Sequence, residues 1–279
     1  MDGLLGTSIN WNLQMNKDQW VSTCSDLAFK FDRDRMMCVS LAPVEKRELL
    51  LALLAFNHKI SIIPELVSET LLGEIRLQWW RDCITSLYQG EKPNHPIALG
   101  LSTAIESCEL SKSLFDQYLA ERSFDLLKTR PATLNDLESY ADGTAGALHE
   151  LMAEVLLFKP NIKIRHAARN SGTAWALTGL LSSIPFHESQ GRSYIPFDLN
   201  SDSGVAVIAR SAERYIKEAR SAHQYIPHHL LPVMLPITLA EYALRKLTHC
   251  SYNIKDISLE KRGIGRLLKF YWKVLQKRY

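Results

Sequence analysis

The sequence is poor in cysteine and contains no long hydrophobic run. Its 279 residues include five cysteines, an odd number, and no two of them form a C-x-x-C pair. This argues against a disulfide-stapled secreted scaffold and a cysteine zinc site, and we expect a reducing compartment. The longest unbroken apolar run, from Leu49 to Phe56, has eight residues, whereas a membrane-spanning helix needs ~20. The sequence therefore predicts a protein that is not integral to a membrane.

Several signature motifs of enzyme chemistry are also missing. The sequence contains no G-x-x-x-x-G-K-[ST] loop, no G-x-G-x-x-G turn and no G-x-S-x-G elbow, which argues against nucleotide cofactors and against a hydrolase nucleophile. The amino-terminal residues show neither a signal peptide nor an Arg-rich transit pattern. We therefore expect that the protein works where it is made, or that a presequence has been removed.

What is present is the composition of an ordinary globular protein. Hydrophobic residues make up 46% and charged residues 23%, in a chain long enough to bury a large core. Apolar residues recur with a period near 3.6, as at Leu72, Ile75, Trp79 and Cys83, and no stretch alternates as paired strands do. Because no linker or internal repeat interrupts this pattern, we predict an all-α fold in which residues 1–279 form a single domain.

Helix boundaries follow from the periodicity and from the residues that interrupt it. The longest irregular stretch is predicted from Phe186 to Asp202. Thr133 should cap its helix, with Asp136 at the third helical position. Residues 143–147 of that helix are Gly-Thr-Ala-Gly-Ala, and because each Gly costs roughly 1 kcal/mol relative to Ala, we expect close packing there. The predicted helices are Val44 to Ile60, Val67 to Gly90, Ser111 to Lys128, Thr133 to Phe158, Ile164 to Ile184, Gly204 to Tyr225, Pro236 to His249 and Glu260 to Lys277.

Four sequence blocks resemble successive motif regions of the squalene/phytoene synthase family. They are FDRDRMMCVSLAPVEKRELLLALLAFNHKI, LGEIRLQWWRD, YADGTAGALHELM and GTAWALTGLLSSIPFHESQGRSYIPFDL, which together span residues 31–199. The resemblance is specific because all four blocks agree in order and in spacing. It implies the isoprenoid-synthase fold, a single all-α domain whose helices surround a central cavity.

The resemblance also implies that the metal ligands of the active enzymes are missing. In those enzymes two acidic clusters on facing helices hold Mg²⁺ ions, which bind the diphosphate of a prenyl substrate through oxygen ligands. The first cluster corresponds to Ser61, Ile62 and Glu65, of which only Glu65 is acidic. The second corresponds to positions that include Ser183 and His187. We therefore expect no catalytic residue of the family type, no metal and no other cofactor.

The sequence around the two degenerate motifs is retained, so that the implied cavity stays a candidate binding site for a prenyl lipid or a quinone. For His187 itself, a hydrogen-bonded loop histidine is favoured over a metal ligand, because no second His or Cys stands at ligand spacing. The candidate cavity residues are His58, Arg76, Tyr140, Ala176, Gly179, Arg192 and Tyr194.

A divergent subgroup of the family resembles the sequence more closely than the working synthases do. This subgroup comprises a mitochondrial complex I assembly factor and its bacterial relatives, and it shares the GEIRLQWWRD block and the stretch at 183–187. The resemblance implies a non-catalytic role in assembling respiratory complex I, with a complex I subunit or assembly intermediate as the partner. Two alternatives stay open. One is a prenyltransferase that condenses prenyl diphosphates head-to-head and requires Mg²⁺, and the other is a binding module for a prenyl lipid.

Two segments are candidates for surface contacts. Trp79 and Trp80 lie about 100° apart on one helix, so we expect one in the core and the other either on a partner surface or at the flank of a ligand cavity. Arg81 joins that candidate partner surface, although a structural ion pair is its alternative role. Residues 260–279 contain seven Lys or Arg and one Glu, a net charge of +6 in a chain of +3. Because the positive charge is confined to one end, nucleic-acid binding is not expected.

The basic end has an apolar stripe at helical spacing and predicts one of two arrangements. It is either a last helix packed on the bundle with a solvated basic rim, or a peripheral attachment to an anionic membrane. We expect the protein on the cytoplasmic side of a bacterial inner membrane, or at the mitochondrial inner membrane facing the matrix if a presequence was removed. The candidate membrane residues are Arg266, Lys269, Lys273 and Lys277.

Overall fold

The computed structural model describes residues 17–127, 129–199, 201–253, 264–276 and 278–279. These residues contain helices and no strand, which confirms the predicted all-α class. Short 3-10 turns occur at Ser123–Leu126, His223–Tyr225 and His228–Leu230, and a π-helical turn occurs at Asp142–Gly146. The α-helices are α1 Lys17–Phe31, α2 Arg33–Val39, α3 Val44–Ser61, α4 Ile63–Leu66, α5 Thr70–Tyr88, α6 Pro96–Cys108, α7 Lys112–Arg122, α8 Leu134–Ala141, α9 Ala147–Leu156, α10 Ile162–Ser182, α11 Ile184–Ser189, α12 Ser201–Ser221, α13 Leu231–Met234, α14 Pro236–His249 and α15 Ile264–Leu275.

The core is organised around α9. All ten of its residues are buried, and α3, α7 and α10 pack around it. Two of the ten, Glu150 and Glu154, carry carboxylates that would be costly to bury alone. Arg165 and Arg169 of α10 pair with them at N–O distances of 3.0 to 3.6 Å. The central helix is therefore held by charge pairing as well as by apolar contact.

Most helices lie where the periodicity predicts them. The ends of α3, α5, α10 and α14 agree with the predicted ends to within three residues. The predicted helix from Ser111 is shorter than expected, because α7 ends at Arg122 and a 3-10 turn follows; its predicted end, Lys128, lies outside the described residues. The predicted start of the last helix, Glu260, also lies outside them.

Six helices are not predicted by the sequence: α1, α2 and α6, and the short helices α4, α11 and α13. Before α6 the prolines of residues 93–96 predict a break, which is present at residues 89–95, and Pro96 itself stands in the first turn of α6, where proline is well tolerated. His95 caps the helix, because its Nδ1 accepts a hydrogen bond from the N–H of Ala98 at 3.4 Å. The predicted irregular stretch from Phe186 to Asp202 is too long, since α11 and α12 occupy both of its ends.

The beginning of α8 is formed as predicted. Thr133 is its N-cap: the Thr133 Oγ1 accepts a hydrogen bond from the N–H of Asp136 at 3.3 Å. In return the Asp136 carboxylate accepts one from the N–H of Thr133 at 2.9 Å. The single helix predicted from Thr133 to Phe158 is instead divided into α8, the π-helical turn and α9, which ends at Leu156.

Small residues at the π-helical turn let two other helices approach its backbone. Gly172 of α10 lies so close that an added Cβ atom would overlap the carbonyl group of Ala145. A Cβ atom added at Gly143 would overlap the side chain of Glu121 on α7. The close packing that the small residues predict is therefore present, and it offsets the low helix propensity of glycine.

Replacing Gly172 by alanine is expected to destabilise the protein by about 1–3 kcal/mol, because the π-helical turn must move to admit the methyl group. Gly179→Ala on the same helix is the matched control. Nothing lies within 4 Å of a Cβ atom built there, and alanine has the better helix propensity by roughly 1 kcal/mol. Urea denaturation should rank Gly172→Ala below the native protein and Gly179→Ala at or above it. Equal midpoints for the two variants would contradict the close approach.

The last helix, α15, packs on α14. After it, Tyr279 forms hydrogen bonds with residues of α12. Phe270 is fully buried and Tyr279 is 4% exposed. The Tyr279 hydroxyl donates to the carbonyl of Ala219 at 3.4 Å, and Nε of Arg220 donates to the carbonyl of Tyr279 at 3.1 Å. Among the described residues, no helix combines the length and the apolar character that a membrane span requires.

Candidate functional site

The helices surround a cavity of about 340 Å³. Residues of α3 and α4 line one part of its wall and residues of α10 and α11 line another. The 3-10 turn after α7 and the π-helical turn contribute as well. A volume of this size is typical of sites for small molecules.

The positions of the two degenerate acidic motifs meet at this cavity. Ser61 and Glu65 line it from α3 and α4, and Ser183 and His187 line it from the start of α11. Ile62, the remaining position of the first motif, is not a lining residue and stands at the end of α3. The structure therefore brings four motif positions together, and they supply one carboxylate.

Most of the candidate binding residues lie at the cavity, but His58 and Arg76 do not. His58 follows the lining residue Asn57 on α3 and is therefore rotated by about 100° away from the cavity. Its ring stacks on that of Phe31, with the ring centroids 4.0 Å apart. Arg76 is exposed on α5 and is not a lining residue. The candidates that line the cavity are Tyr140, Ala176, Gly179, Arg192 and Tyr194.

A buried polar network centred on Asp125 forms part of the cavity wall. Its carboxylate accepts hydrogen bonds from Nη1 of Arg122 at 2.9 Å and from the hydroxyls of Tyr140 and Tyr194 at 2.7 and 2.8 Å. Nη2 of Arg122 donates to the side-chain oxygen of Asn57 at 3.3 Å. Asp125 is only 6% exposed, and both of its carboxylate oxygens accept hydrogen bonds from side chains of the protein.

The network also shifts the pKa values of its members. Burial raises the pKa of the hydroxyls of Tyr140 and Tyr194 well above the ordinary value. Burial alone would lower the pKa of Arg122, but the neighbouring Tyr118, Tyr140 and Asp125 raise it. At neutral pH, Arg122 is therefore charged and the two tyrosines are neutral hydrogen-bond donors.

His187 is a half-buried histidine of the cavity wall. The sequence predicts a hydrogen-bonded loop residue, but the structure places His187 on the short helix α11. Its ring meets that of Tyr194 edge to face with centroids 4.8 Å apart. Burial lowers its pKa, an effect that Asp125 opposes and Arg192 reinforces. Its Nδ1 is buried without a hydrogen-bond partner among the described residues, so the ring is neutral at physiological pH.

The cavity residues do not fit the Mg²⁺ cluster of an active synthase. The lining carboxylates are those of Glu65 and Asp125, and Asp125 is committed to three donors. Arg35, Arg122 and Arg192 line the same cavity, and Arg35 and Arg122 are paired with Asp32 and Asp125. In the described part of the chain, no three His, Cys, Asp or Glu side chains form a group that could hold a metal ion. Such a cluster needs several carboxylate ligands.

The sequence does not predict every residue that lines the cavity. The spacing of Arg122 and Asp125, at i and i+3 beside apolar residues, is a local signal that indicates an ion pair. Nothing in the local sequence indicates the others, because only the packing of distant helices brings them to the cavity. The residues concerned are Arg35, Asn57, Arg122, Asp125 and Trp175.

The two tryptophans of α5 divide as the helical spacing predicts. Trp80 is 6% exposed and belongs to the core, whereas Trp79 is 45% exposed. Arg81, a candidate for the partner surface, makes contacts within the chain instead. Its Nη2 donates to Oγ of Ser123 at 2.8 Å, and its Nη1 lies 3.5 Å from the Glu74 carboxylate. Arg81 therefore takes part in a structural ion pair with Glu74 rather than lying free on the partner surface.

The candidate membrane residues of α15 can be placed only in part. The side chains of Arg266 and Lys269, and all of Lys277, lie outside the described residues. Lys273 is half-buried and has an interaction partner. Membrane attachment through these four residues therefore stays a prediction.

Comparison with known proteins relates the chain to synthases and to assembly factors. The sequence pattern that defines the squalene/phytoene synthase family matches residues 29–263. The proteins named NADH dehydrogenase (ubiquinone) complex I, assembly factor 6 in Mus musculus and Homo sapiens are each 28% identical over 274 residues. That match covers 92% of this chain and 82% of theirs. The homolog in Dictyostelium discoideum is 24% identical and covers 81% of this chain and 68% of its own.

Solved structures of synthases share the fold. A dehydrosqualene synthase in complex with ligand superposes with a TM-score of 0.78 and 17% identity, covering 93% of this chain and 96% of the synthase. The squalene synthase HpnC from Alicyclobacillus acidocaldarius has a TM-score of 0.74 and 16% identity, with 84% and 95% covered. At such identities the likeness shows the fold alone.

Proposed function

Because the chain belongs to the squalene/phytoene synthase family but supplies one carboxylate where that family has two acidic motifs, we propose that it is a non-catalytic member acting in the assembly of respiratory complex I. The relatives named complex I assembly factor 6 align with 92% of this chain. The similarity that supports the proposal therefore extends over nearly all of the sequence. The partner would be a complex I subunit or an assembly intermediate.

One observation carries this proposal: the cavity wall has a single carboxylate, that of Glu65, at the positions where a metal-dependent prenyltransferase needs two acidic clusters. Ser61 and Ser183 occupy motif positions, and three arginine side chains line the same cavity. Head-to-head condensation requires diphosphate to leave with the help of cations, and several carboxylates must hold those cations. The alternative function, squalene or phytoene synthesis, therefore lacks its ligands.

The cavity itself can still take a ligand. Its volume of about 340 Å³ and its mixture of arginine, tyrosine and tryptophan side chains suit a small molecule with an apolar part and a polar end. We assign a prenyl lipid or a quinone to it, bound without a metal ion. Such a ligand would leave the assembly role intact and would stabilise the fold on binding.

The partner surface that we assign is an exposed stripe on α5. Its four side chains are 45–67% exposed and lie within about two helical turns. Contiguous exposed apolar residues mark interaction sites, and tryptophan is common where binding energy is concentrated. We place this contact on the cytoplasmic side of a bacterial inner membrane or on the matrix side of the mitochondrial inner membrane. The stripe consists of Leu71, Leu72, Ile75 and Trp79.

A deletion strain tests the proposal directly. Loss of the protein should lower the amount of complex I and leave the isoprenoid profile unchanged. The purified protein should make neither squalene nor phytoene from farnesyl or geranylgeranyl diphosphate in the presence of Mg²⁺. Complementation with Glu65→Gln should restore complex I fully, because this lone carboxylate holds no metal cluster. Turnover that a chelator abolishes would establish the prenyltransferase instead.

The same strain tests the partner surface. Complementation with the Ile75→Ser and Trp79→Ser double variant should fail to restore complex I, because truncating such side chains at an interface often costs about 2 kcal/mol or more. The matched control replaces Phe158 and Ile162 by serine, since these side chains are 64% and 62% exposed elsewhere on the surface. Equal rescue by the two double variants would exclude the α5 stripe as the contact.

A further inference from the structure

The helix α15 exposes an apolar face while its other side packs on the protein. Phe270 is fully buried and points to the body. Four other large side chains of the helix are 51–77% exposed, and their spacing at i, i+3, i+4 and i+7 places them on one side of the helix. They form the α15 stripe: Leu268, Tyr271, Trp272 and Leu275.

Charge distinguishes this part of the chain from the rest. Residues 260–279 carry a net charge of +6, whereas the whole chain carries +3, so the other 259 residues sum to −3. The single acid of the segment, Glu260, precedes the helix. An exposed apolar stripe on a strongly cationic helix is typical of helices that lie in the interface of a membrane.

We propose that α15 attaches the protein to a bilayer that contains anionic lipids. The α15 stripe would enter the boundary between headgroups and acyl chains, where Trp and Tyr side chains are enriched. The positive charge of the segment would be attracted by the anionic headgroups. A protein partner fits less well, because lysine is depleted at the centre of protein interfaces and the segment has three lysines within α15 and just after it.

The attachment would orient the protein as well as tether it. Tyr279 is held by Ala219 and Arg220 of α12, and Phe270 is buried against the body. The helical domain and its cavity would therefore keep a fixed orientation to the membrane plane. This inference rests on α15 alone and does not depend on the assembly role.

Vesicle sedimentation of the full chain tests the proposal. We expect binding to vesicles of phosphatidylcholine mixed with phosphatidylglycerol, and little binding to phosphatidylcholine alone. Raising the salt from about 0.1 M to about 1 M should weaken the binding, because the screening length falls from ~10 Å to ~3 Å. The Trp272→Ser and Leu275→Ser double variant should bind roughly tenfold or more weakly, because two exposed apolar side chains no longer enter the bilayer. The Phe158→Ser and Ile162→Ser variant is the control and should bind like the native protein.

A charge variant gives an independent test. Replacing Lys269, Lys273 and Lys277 by glutamate changes the charge by −2 at each position and cancels the +6 of the segment. This variant should lose its preference for anionic vesicles while its thermal unfolding still reports a folded protein. Equal binding of the native protein to both kinds of vesicle, or unchanged binding by both variants, would overturn the proposal. Capture of a purified protein partner by the stripe, without vesicle binding, would overturn it as well.

Discussion

Replacing Asp125 by asparagine is expected to destabilise the protein by about 3–5 kcal/mol, the usual effect of removing one partner from a buried ion pair. The Asp125 carboxylate lies 2.9 Å from the Arg122 guanidinium, and the two side chains are 5% and 12% exposed. Asparagine keeps the shape but removes the charge, so Arg122 becomes an uncompensated buried cation. The hydroxyls of Tyr140 and Tyr194 also lose their charged acceptor, which adds to the loss.

The chain offers a matched control for this substitution. Asp116 pairs with Lys112 at the same N–O distance of 2.9 Å, but these side chains are 52% and 38% exposed. Asp116→Asn should therefore change the free energy of unfolding by no more than about 0.5 kcal/mol, as is usual for an exposed helical pair. Urea denaturation of both variants at neutral pH measures the difference. If Asp125→Asn were as mild as Asp116→Asn, the buried network would not contribute to stability.

Lowering the pH from about 7 to about 4 is expected to cost the native protein roughly 3 kcal/mol more stability than it costs a His149→Leu variant. His149 lies on α9 and has no exposed surface. Burial lowers its pKa from 6.5 to about 3; Arg35 acts in the same direction, and the Val233 carbonyl opposes it. The unfolded chain binds a proton on His149 near pH 6.5, whereas the folded chain does not until about pH 3. The free energy of unfolding therefore falls as the pH drops through this interval, by about 1.4 kcal/mol per pH unit.

Urea denaturation across this pH range measures the effect. His149→Leu should flatten the acid side of the stability profile, whatever its effect at neutral pH. Part of the slope should remain, because burial also lowers the pKa of His58, His95 and His187. His166→Leu is the control, since His166 is exposed on α10 and meets water in both states. Parallel profiles for the native protein and His149→Leu would show that protonation of His149 does not oppose folding.

Local features of the fold are predictable from the sequence because their causes are local. The cap at Thr133 needs only Asp136 three residues later, and the small residues at 143–147 require a close neighbour wherever the chain provides one. The boundaries of α3 and α14 follow from periodicity in the same way. The break between α5 and α6 is present at residues 89–95, but α6 itself is not predicted, because proline interrupts the interior of a helix and yet is tolerated in its first turn, where Pro96 stands.

Residues of the candidate site are predictable only where the family motifs indicate which positions face the cavity. Tyr140, Gly179 and Tyr194 are indicated by the family motifs and do line the cavity. His58 is one position from Asn57, yet the helical rotation between neighbours turns it away from the cavity. The pairing of Asp125 with two tyrosines from distant segments has no local signature, because it depends on how the helices pack.

The arginines that line the cavity bear on whether a few substitutions could create the Mg²⁺ site of the family's active enzymes here. An aspartate introduced at Ser61 or Ser183 would share the cavity with Arg192, whose Nη2 donates to the carbonyl of Pro64 at 2.8 Å. Pairing with an arginine already in place competes directly with the capture of a hydrated cation from solution. The first acids introduced would therefore pair with arginine rather than create a metal site. A single acidic substitution in this wall is therefore not expected to bring prenyl transfer.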